Sequence, residues 1–440
     1  MNGAIPAPDA SLCENQSRFH AIISQPNKGW WRFLLLFWAL LGPGLLAAMA
    51  DNDAGGMISY CVTGVKFGIG LFIPLVLCLV LVTYTVQEMA MRLGTVTQTG
   101  FTKLISLHYG HFWMRYHVIT LFSENMLTLL TEFIGMTAGL IILGLPLWAS
   151  DALSLLLILS ITVFTGYWTK ERLALLIGAL NIIFVVVAAM THPSMAAIGH
   201  AFAAWNVPAG SSDLSWYIIA LIGNAIAPWM IFYQGSAYID KGVIADNLRL
   251  GRIDTCIGCV VQVLIAACAI IAGAALYGHL NNVAALGPAA LINAFDTLVG
   301  HWPALLFGLG LFNAGLLASI TISLSSSWSV AEAFGWSKSL NDKISDAPRF
   351  YAVYIGSVIV AAVAFLIPNL PLNFIAVITQ VIGGFLTAPI LIFLSLLANN
   401  KQLMGRHKNS LFGNICAWTI SATLIGLAVL LLWNTISGLL

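Results

Sequence analysis

The sequence predicts an all-α polytopic membrane protein with eleven transmembrane helices, and three observations point to this fold class. Of the 440 residues, 60% are hydrophobic and only 8% are charged, whereas soluble domains carry about 25% charged residues. Apolar runs long enough to cross about 30 Å of hydrocarbon recur along the whole chain. The basic residues fall between alternate runs, as they do in membrane proteins with a fixed orientation.

The eleven predicted spans, numbered in chain order, are the stretches in which apolar residues continue for the thickness of a membrane. They lie at about 33–65, 68–91, 116–143, 150–168, 172–191, 215–239, 253–277, 302–330, 350–368, 373–397 and 411–438. No charge-rich or low-complexity segment separates them, so we expect a single integral membrane domain over residues 1–440.

Lysine and arginine decide the predicted orientation. Of the 18 such residues, all but Lys66 precede span one or follow an even-numbered span. The positive-inside rule therefore places the N-terminus in the cytoplasm and, because the number of spans is odd, the C-terminus outside the cell. The first 28 residues are polar, so we expect no cleaved signal peptide. The expected location is the cell (plasma) membrane.

Charge and cysteine content argue against other classes of function. A net charge of +1 gives no indication of nucleic-acid binding. The seven cysteines lie mostly in apolar stretches, and Cys256 and Cys259 form a single CxxC without a second pair. We therefore expect the cysteines to pack in the interior rather than to bind a metal or carry redox chemistry.

Two spans contain helix-breaking sequences near their middle. Span one contains ADNDAGG at 50–56, and span six contains IGNAIAPW at 222–229. Interrupted segments at matching positions of two halves are typical of transporters built from inverted repeats. We therefore predict repeat one over about 33–191, repeat two over about 215–397 and an extra helix at about 411–438.

The backbone groups that a broken helix frees cannot stay unpaired in lipid, so they must face a cavity, water or an ion. For span six, a proline kink stabilised by neighbouring helices is an open alternative. Span one also carries Asp51 and Asp53, and carboxylates at membrane depth are costly and usually functional. The break of span one therefore predicts a cation site.

Several stretches, in the same order along the chain, resemble the Nramp family of divalent metal transporters. They are GPGLLAAMADNDAGG (42–56), VQEMAMRLGTVTQTG (86–100), LLTEFIG (129–135), LFGLGLFNAGLLASITISLSSSWSVAEAF (306–334) and TQVIGGFLTAPILIFLSLLANNKQLMG (379–405). The resemblance implies a LeuT-type fold, with spans one to five and six to ten as the inverted repeats. It also implies a metal carrier that is not an enzyme and needs no cofactor beyond the transported ion.

The resemblance carries metal ligands onto only some residues of this chain. In the family, an Asp and an Asn of the first helix and a Met of the sixth helix bind a transition metal. These three positions fall on Asp53, which is retained, on Gly56 and on Ala227. The tenth-helix Gln that contacts metal in the family is retained as Gln380. Two of the family's ligands are therefore missing.

The family's titratable residues are also changed. Its two histidines of the sixth helix fall on Trp229 and Gln234, and its third-helix acid pair falls on Leu129 and Glu132. All nine histidines of this chain lie in predicted loops or near predicted helix ends. Our hypothesis is therefore that transport is uncoupled from protons or only weakly coupled.

The missing ligands change the chemistry expected at the site. A Met thioether favours transition metals, so Ala227 removes that preference, and Gly56 in place of Asn leaves further room. A wide pocket of hard oxygens suits a largely hydrated Mg²⁺, which gives up water reluctantly. The pattern resembles the Nramp-related magnesium transporters, which carry Mg²⁺ and also Mn²⁺. Besides the unwound carbonyls, the expected ligands are Asp53, Asp51, Asn224 and Gln380.

Two of these ligands have alternative roles. Asp51 has no counterpart in the family's ligand motif, and it either adds negative charge to the cavity, binds through a water or only solvates the cavity edge. Asn224 lies one turn before Ala227 and either contacts the ion or caps a helix.

Other acids near membrane depth have structural alternatives. Glu124 either lines the cavity or, like Glu88, is paired with Arg92 or with buried polar groups. The structural alternative is the one we expect for both acids. Asp240 and Lys241 end span six, where we expect an exposed ion pair or a helix-end interaction.

Two other classes of function stay open. A LeuT-type carrier of an organic cation or amino acid would turn half-helix N-termini toward an anionic carboxylate, which two Asp residues in the break oppose. A non-transporting relative could use the same fold as a sensor. We expect the chain to act as a monomer in the lipid bilayer.

Overall fold

The computed structural model of the chain describes Ser17 and residues 41–164, 167–207, 213–280, 287–337 and 344–437. We number its α-helices in chain order. They are α1 Pro43–Asp51, α2 Ala54–Phe67, α3 Phe72–Thr97, α4 Phe101–Tyr109, α5 His111–Ile141, α6 Leu147–Phe164, α7 Tyr167–Ala179, α8 Ile183–Met190, α9 Met195–Ala204, α10 Leu214–Ala225, α11 Pro228–Lys241, α12 Leu248–Ala274, α13 Pro288–Leu298, α14 His301–Phe334, α15 Pro348–Phe365, α16 Leu372–Asn399, α17 Lys401–Met404 and α18 Leu411–Ser437.

Nine helical segments of the described ranges are long and apolar enough to cross a membrane. They correspond to predicted spans two, three and five to eleven. Span one is divided into α1 and α2 by its break, and its predicted beginning at 33–40 lies outside the described residues. In span four the apolar part of the helix, Leu147–Thr162, is shorter. The all-α membrane fold is confirmed, and the count of eleven spans stays a prediction.

Both predicted breaks are present. Span one is divided between α1, which ends at Asp51, and α2, which begins at Ala54. Span six is divided between α10, which ends at Ala225, and α11, which begins at Pro228. A proline suits the first helical position because that residue needs no N–H donor. Asp53 precedes α2 with extended backbone angles (φ −70°, ψ 165°), as an N-cap residue does.

The broken helices lie at the centre of the bundle. Every residue of α1 and α11 is buried. Helix α12 packs against α1, α2 and α3, while α16 packs against α2 and α10. Helices α5 and α14 lie side by side, and both contact α2. Because α2 also contacts α10, the two breaks meet inside the protein, away from its surface.

Two predictions about single side chains need correction. His117 lies inside α5, buried against the rings of Phe101 and Phe393. It is not at a helix end, because α5 begins five residues before the predicted start of span three. Among the described cysteines, Cys61 and Cys259 are buried as expected, but Cys78 and Cys256 are exposed. The described cysteines are all free.

Candidate metal site

Asp53 lies between the two halves of span one, directly before α2. Its Oδ1 accepts a hydrogen bond from the backbone N–H of Gly56 at 2.5 Å, and the residue is only 2% exposed. The N-terminus of a helix carries partial positive charge, which favours a carboxylate there. The bond also fixes the direction of the side chain, so this acid is positioned at the break.

Asp51 ends α1 and is held by a glutamine from α12. Gln262 donates its side-chain Nε2 to Oδ2 of Asp51, and Gln87 of α3 approaches Gln262 Oε1 at 3.5 Å. Oδ1 of Asp51 has no hydrogen-bond partner within the described part of the chain. One oxygen of Asp51 is therefore braced by the protein, and the other is available to a ligand.

The carbonyls freed at the break of span six are partly satisfied by side chains. The oxygen of Ala225 accepts hydrogen bonds from Thr83 Oγ1 and Gln262 Nε2, each at 3.2 Å. The oxygen of Ile226 accepts one from Thr387 Oγ1 at 2.9 Å. A carbonyl oxygen has two lone pairs, so Ala225 is saturated and Ile226 keeps one site for a ligand. Of these two carbonyls, the oxygen of Ile226 is therefore the one with a free acceptor site for an ion or a water.

Gly56 and Asn224 occupy one another's space. A Cβ on Gly56 would overlap the amide oxygen of Asn224 and lie 2.6 Å from its Cγ. The amide nitrogen and oxygen of Asn224 have no partner among the described residues. The extra room expected at Gly56 is absent, because the side chain of Asn224 fills it. The amide group missing from span one is thus supplied by span six.

The residues in and after the break of span six have different surroundings. Ala227 precedes α11 and is buried, with a methyl group that offers no ligand atom. Trp229 is buried beside Tyr233, with the ring centroids 6.0 Å apart. Gln234 donates to Thr255 Oγ1 of α12 at 3.1 Å. The structure therefore keeps Ala227 at the break, whereas Gln234 is engaged by α12.

Glu132 and Gln380 both reach the first turn of α2. Glu132 Oε2 accepts a hydrogen bond from the backbone N–H of Ala54 at 2.8 Å, and Oε1 accepts one from Thr131 at 3.3 Å. The Nε2 of Gln380 lies 3.3 Å from the position of a Cβ on Gly55. Glu132 is therefore used as a cap of α2, and Gln380 lies against the glycine pair of the break.

Glu124 lies near the breaks, although the structural role was the one expected for it. Its Oε1 accepts from Thr128 at 2.9 Å, its Oε2 has no partner among the described residues, and it lies close enough to Asp51 and Asp53 for their charges to interact. Of the two expected structural partners, Arg92 does not pair with it within the described residues, whereas the buried hydroxyl of Thr128 does. That arginine binds Glu88 at 3.0 Å, as predicted.

Three polar side chains at the breaks were not predicted from the sequence: Thr83, Gln262 and Thr387. Each donates to backbone or carboxylate groups that the broken helices leave unpaired. Gln262 had a signal, because a glutamine within the apolar run CVVQVLIAAC has few other reasons to be at membrane depth. The threonines had none, because a hydroxyl inside a helix can bond its own backbone.

The N-terminal end of α1 is held in place by buried charged side chains of neighbouring helices. Lys241 is buried, lies 3.1 Å from Glu171 of α7 and donates to the carbonyl of Leu41. Asp254 accepts hydrogen bonds from the N–H groups of Gly42 and Gly44 at 3.0 and 2.8 Å. Lys241 lies in the last turn of α11, and its ion pair is buried rather than exposed, because Leu41 and Gly42 lie against its ammonium group.

The potential ligand atoms at the site are mainly oxygen atoms, which are hard ligands. No three His, Cys, Asp or Glu side chains of the described ranges converge closely enough to hold a metal by themselves, so amide, carbonyl or water oxygens would have to complete the shell. Buried polar atoms without partners are rare in proteins, and an ion with its waters would satisfy them. At the break, these atoms are Asp51 Oδ1, Asn52 Oδ1 and Nδ2, Glu124 Oε2, Asn224 Oδ1 and Nδ2, and Gln380 Nε2.

Comparison with known proteins decides the family. Residues 44–434 match the family model Nramp, described as natural resistance-associated macrophage protein-like. This chain is a member of the Nramp family. Similar proteins include the divalent metal cation transporter MntH of Levilactobacillus brevis, 25% identical over 93% of this chain and 91% of the relative. MntH of Pediococcus pentosaceus is 27% identical over 93% of this chain and 94% of the relative.

Solved structures place this Nramp protein in the expected fold. It resembles the manganese transporter of Eremococcus coleocola with a TM-score of 0.73 and 19% identity, over 94% of this chain and 88% of that one. It also resembles MhsT in complex with L-phenylalanine, with a TM-score of 0.57 and 15% identity, over 89% of this chain and 98% of that one. The LeuT-type fold is confirmed, and the Nramp chain is a membrane transporter rather than an enzyme.

Proposed function

We propose that this Nramp protein takes up divalent metal cations, Mg²⁺ and also Mn²⁺, in a largely hydrated form. The observation that carries the proposal is the ligand chemistry at the two breaks. Asp53, the unpartnered oxygen of Asp51 and the amide of Asn224 are hard donors, whereas Ala227 offers none in place of a thioether. Carboxylate, carbonyl and water oxygens suit Mg²⁺ and Mn²⁺ and give no advantage to softer metals.

Hydration of the ion follows from the small number of protein donors. Mg²⁺ requires near-octahedral coordination and usually keeps several waters while one or two carboxylates hold it. The unpartnered amide groups of Asn52 and Asn224 have further donor and acceptor atoms that would bond those waters. The residues of the break are buried in this structure, so a hydrated ion reaches them only when one side of the bundle opens.

The proposed driving force is the membrane potential together with the cation gradient. A potential of 100 mV supplies about 2.3 kcal/mol per charge, which is about 4.6 kcal/mol for a divalent ion. We propose that protons are not coupled, since Leu129 is apolar and buried, Trp229 and Gln234 replace histidines, and Glu132 is engaged as a helix cap. We also propose that the N-terminus is cytoplasmic and the C-terminus lies outside the cell, that the protein is a monomer, and that residues 1–440 form a single membrane domain.

Flux into liposomes tests the transported ion. The full chain should admit Mn²⁺, and Mg²⁺ should both enter and compete with Mn²⁺. Asp53→Ala should reduce both fluxes by more than about tenfold, which corresponds to about 1.4 kcal/mol. Asp346→Ala removes the same charge from an exposed loop position and should leave both unchanged. Failure of Mg²⁺ to enter or compete, or full activity of Asp53→Ala, would contradict the proposal.

A pH-sensitive dye inside the same liposomes tests the absence of proton coupling. Metal influx driven by a set potential should proceed without acidification of the interior. Glu124→Gln serves as the matched variant, because it removes the carboxylate beside Asp53 without changing its shape. Acidification that depends strictly on metal would refute the uncoupled mechanism, and its disappearance in Glu124→Gln would assign the proton to that residue.

A further inference from the structure

A large groove lies between three transmembrane helices, away from the metal site. It is formed by the beginning of α5, the end of α14 and the beginning of α15, and its volume is about 920 Å³. That volume is within the range of about 300–1,000 Å³ typical of sites for small molecules. Ile119 and Phe334, which line it, are 65% and 66% exposed, so no described part of the chain covers the groove.

The groove is positive at one end and apolar along its length. His111 and Arg115 lie at the start of α5, and Ile119 and Phe122 continue the same lining along that helix. Residues spaced by three or four share one face of a helix. Val353 of α15 completes the apolar wall. The lining therefore runs from cationic to apolar in the direction of the membrane interior.

The charge of Arg115 has no counterion among the residues that the structure describes. Among the described residues no carboxylate, carbonyl or side-chain oxygen pairs with it, and its side chain is exposed. His111 uses Nδ1 in a hydrogen bond with Ser106 at 3.2 Å, which leaves Nε2 toward its surroundings. A phosphate beside this end of the groove would find both groups without breaking any contact of the protein.

The position of the groove identifies the occupant. All three helices are membrane spans, so the groove opens toward lipid chains. Its positive end is on the side that carries every lysine and arginine except Lys66, which the positive-inside rule makes cytoplasmic. The cytoplasmic leaflet contains the anionic lipids, and basic pockets between helices on that side bind their headgroups.

We infer that this groove binds one anionic phospholipid of the cytoplasmic leaflet. Its phosphate lies at Arg115 and His111, and an acyl chain lies along Ile119, Phe122 and Val353. The inference uses the proposed orientation but not the proposed substrate. A lipid seated here would hold the ends of α5, α14 and α15 together, and α5 also carries Glu124 and Glu132 of the metal site. Lipid composition would therefore influence transport through those helices.

Two variants separate headgroup recognition from chain recognition. Arg115→Gln removes the charge and keeps most of the side-chain length. Gly356→Phe fills the groove, because a Cβ at that glycine meets nothing within 4 Å. Lys401→Gln is the matched control, since it removes an exposed positive charge on the same side but outside the lining. Native mass spectrometry of the full chain would count retained dioleoyl-phosphatidylglycerol against dioleoyl-phosphatidylcholine.

The expected pattern is specific. Arg115→Gln should weaken phosphatidylglycerol binding about fivefold, the equivalent of about 1 kcal/mol for one basic residue at the membrane surface, and leave phosphatidylcholine unchanged. Gly356→Phe should weaken both lipids, and Lys401→Gln neither. Equal losses of phosphatidylglycerol binding in Arg115→Gln and Lys401→Gln would show that both charges act only by general attraction to an anionic surface, which would overturn the inference. Displacement of the lipid by glycerol phosphate, or no effect of Gly356→Phe, would also overturn the inference.

Discussion

Placing the family's asparagine back into span one should damage the site rather than restore it. In Gly56→Asn, the new Cβ would overlap the amide oxygen of Asn224 and lie 2.6 Å from its Cγ, so the buried amide must move. Overpacking a well-packed site costs about 1–3 kcal/mol of folding stability, which should lower the Tm. The displaced amide also loses its contact with the ion or its waters, which is worth about 1–3 kcal/mol. At about 1.4 kcal/mol per factor of ten, we expect Mg²⁺ and Mn²⁺ affinity to fall by about fivefold to about hundredfold.

Removing the competing side chain should reverse this loss. Asn224→Ala alone deletes the amide and should weaken binding, whereas Gly56→Asn with Asn224→Ala returns one amide to the same space from span one. The double variant should therefore bind better than Gly56→Asn alone, with a coupling energy of about 1 kcal/mol or more, within the range for side chains in contact. Additive effects would be inconsistent with shared space.

Calorimetry with MgCl₂ and MnCl₂ on the purified full chain measures the affinities, and thermal unfolding reports whether each variant folds. Gly199→Asn is the control for the same chemical change. That glycine lies in α9, is exposed, and would give its Cβ open space. If Gly56→Asn binds both ions like the unmodified protein, Asn224 does not occupy the space beside Gly56.

Other buried contacts give expectations of the same kind. Gln262→Leu leaves Asp51 without its donor, which costs about 1–3 kcal/mol and should lower both Tm and Mn²⁺ uptake; an unchanged Tm would contradict the contact. Lys241→Met leaves Glu171 as an unpaired buried charge, at about 3–5 kcal/mol, and Lys241→Met with Glu171→Gln should recover part of the lost Tm; if the two variants unfold together, the pair is not coupled. Ala227→Met restores a thioether and should raise Cd²⁺ affinity relative to Mg²⁺ by about tenfold (about 1.4 kcal/mol) in calorimetric competition; no change would show that position 227 does not face the ion.

Spans and breaks could be predicted because their causes are local. Length of apolar sequence decides whether a helix crosses the membrane, and Pro228 and the glycines after Asp53 interrupt a helix wherever it lies. Asp51 and Asp53, the acids of the candidate site, could be found for a related reason, since a carboxylate in an apolar run is unusual.

What the side chains contact depends on tertiary structure, and there the sequence was insufficient. The shared space of Gly56 and Asn224 joins two repeats, and the ion pair of Lys241 joins α11 to Glu171 in α7. Neither follows from spacing along the chain. The extra room expected at Gly56 was therefore wrong, because a missing side chain says nothing about which neighbour fills the volume.

The exchange of an amide between two helices also changes what keeps the site assembled. The amide beside Gly56 belongs to α10, whereas Asp53 directly precedes α2. The distance between that amide and that carboxylate is therefore set by the relative position of two separate helices. An amide at position 56 would instead have stayed with Asp53 however α10 moved.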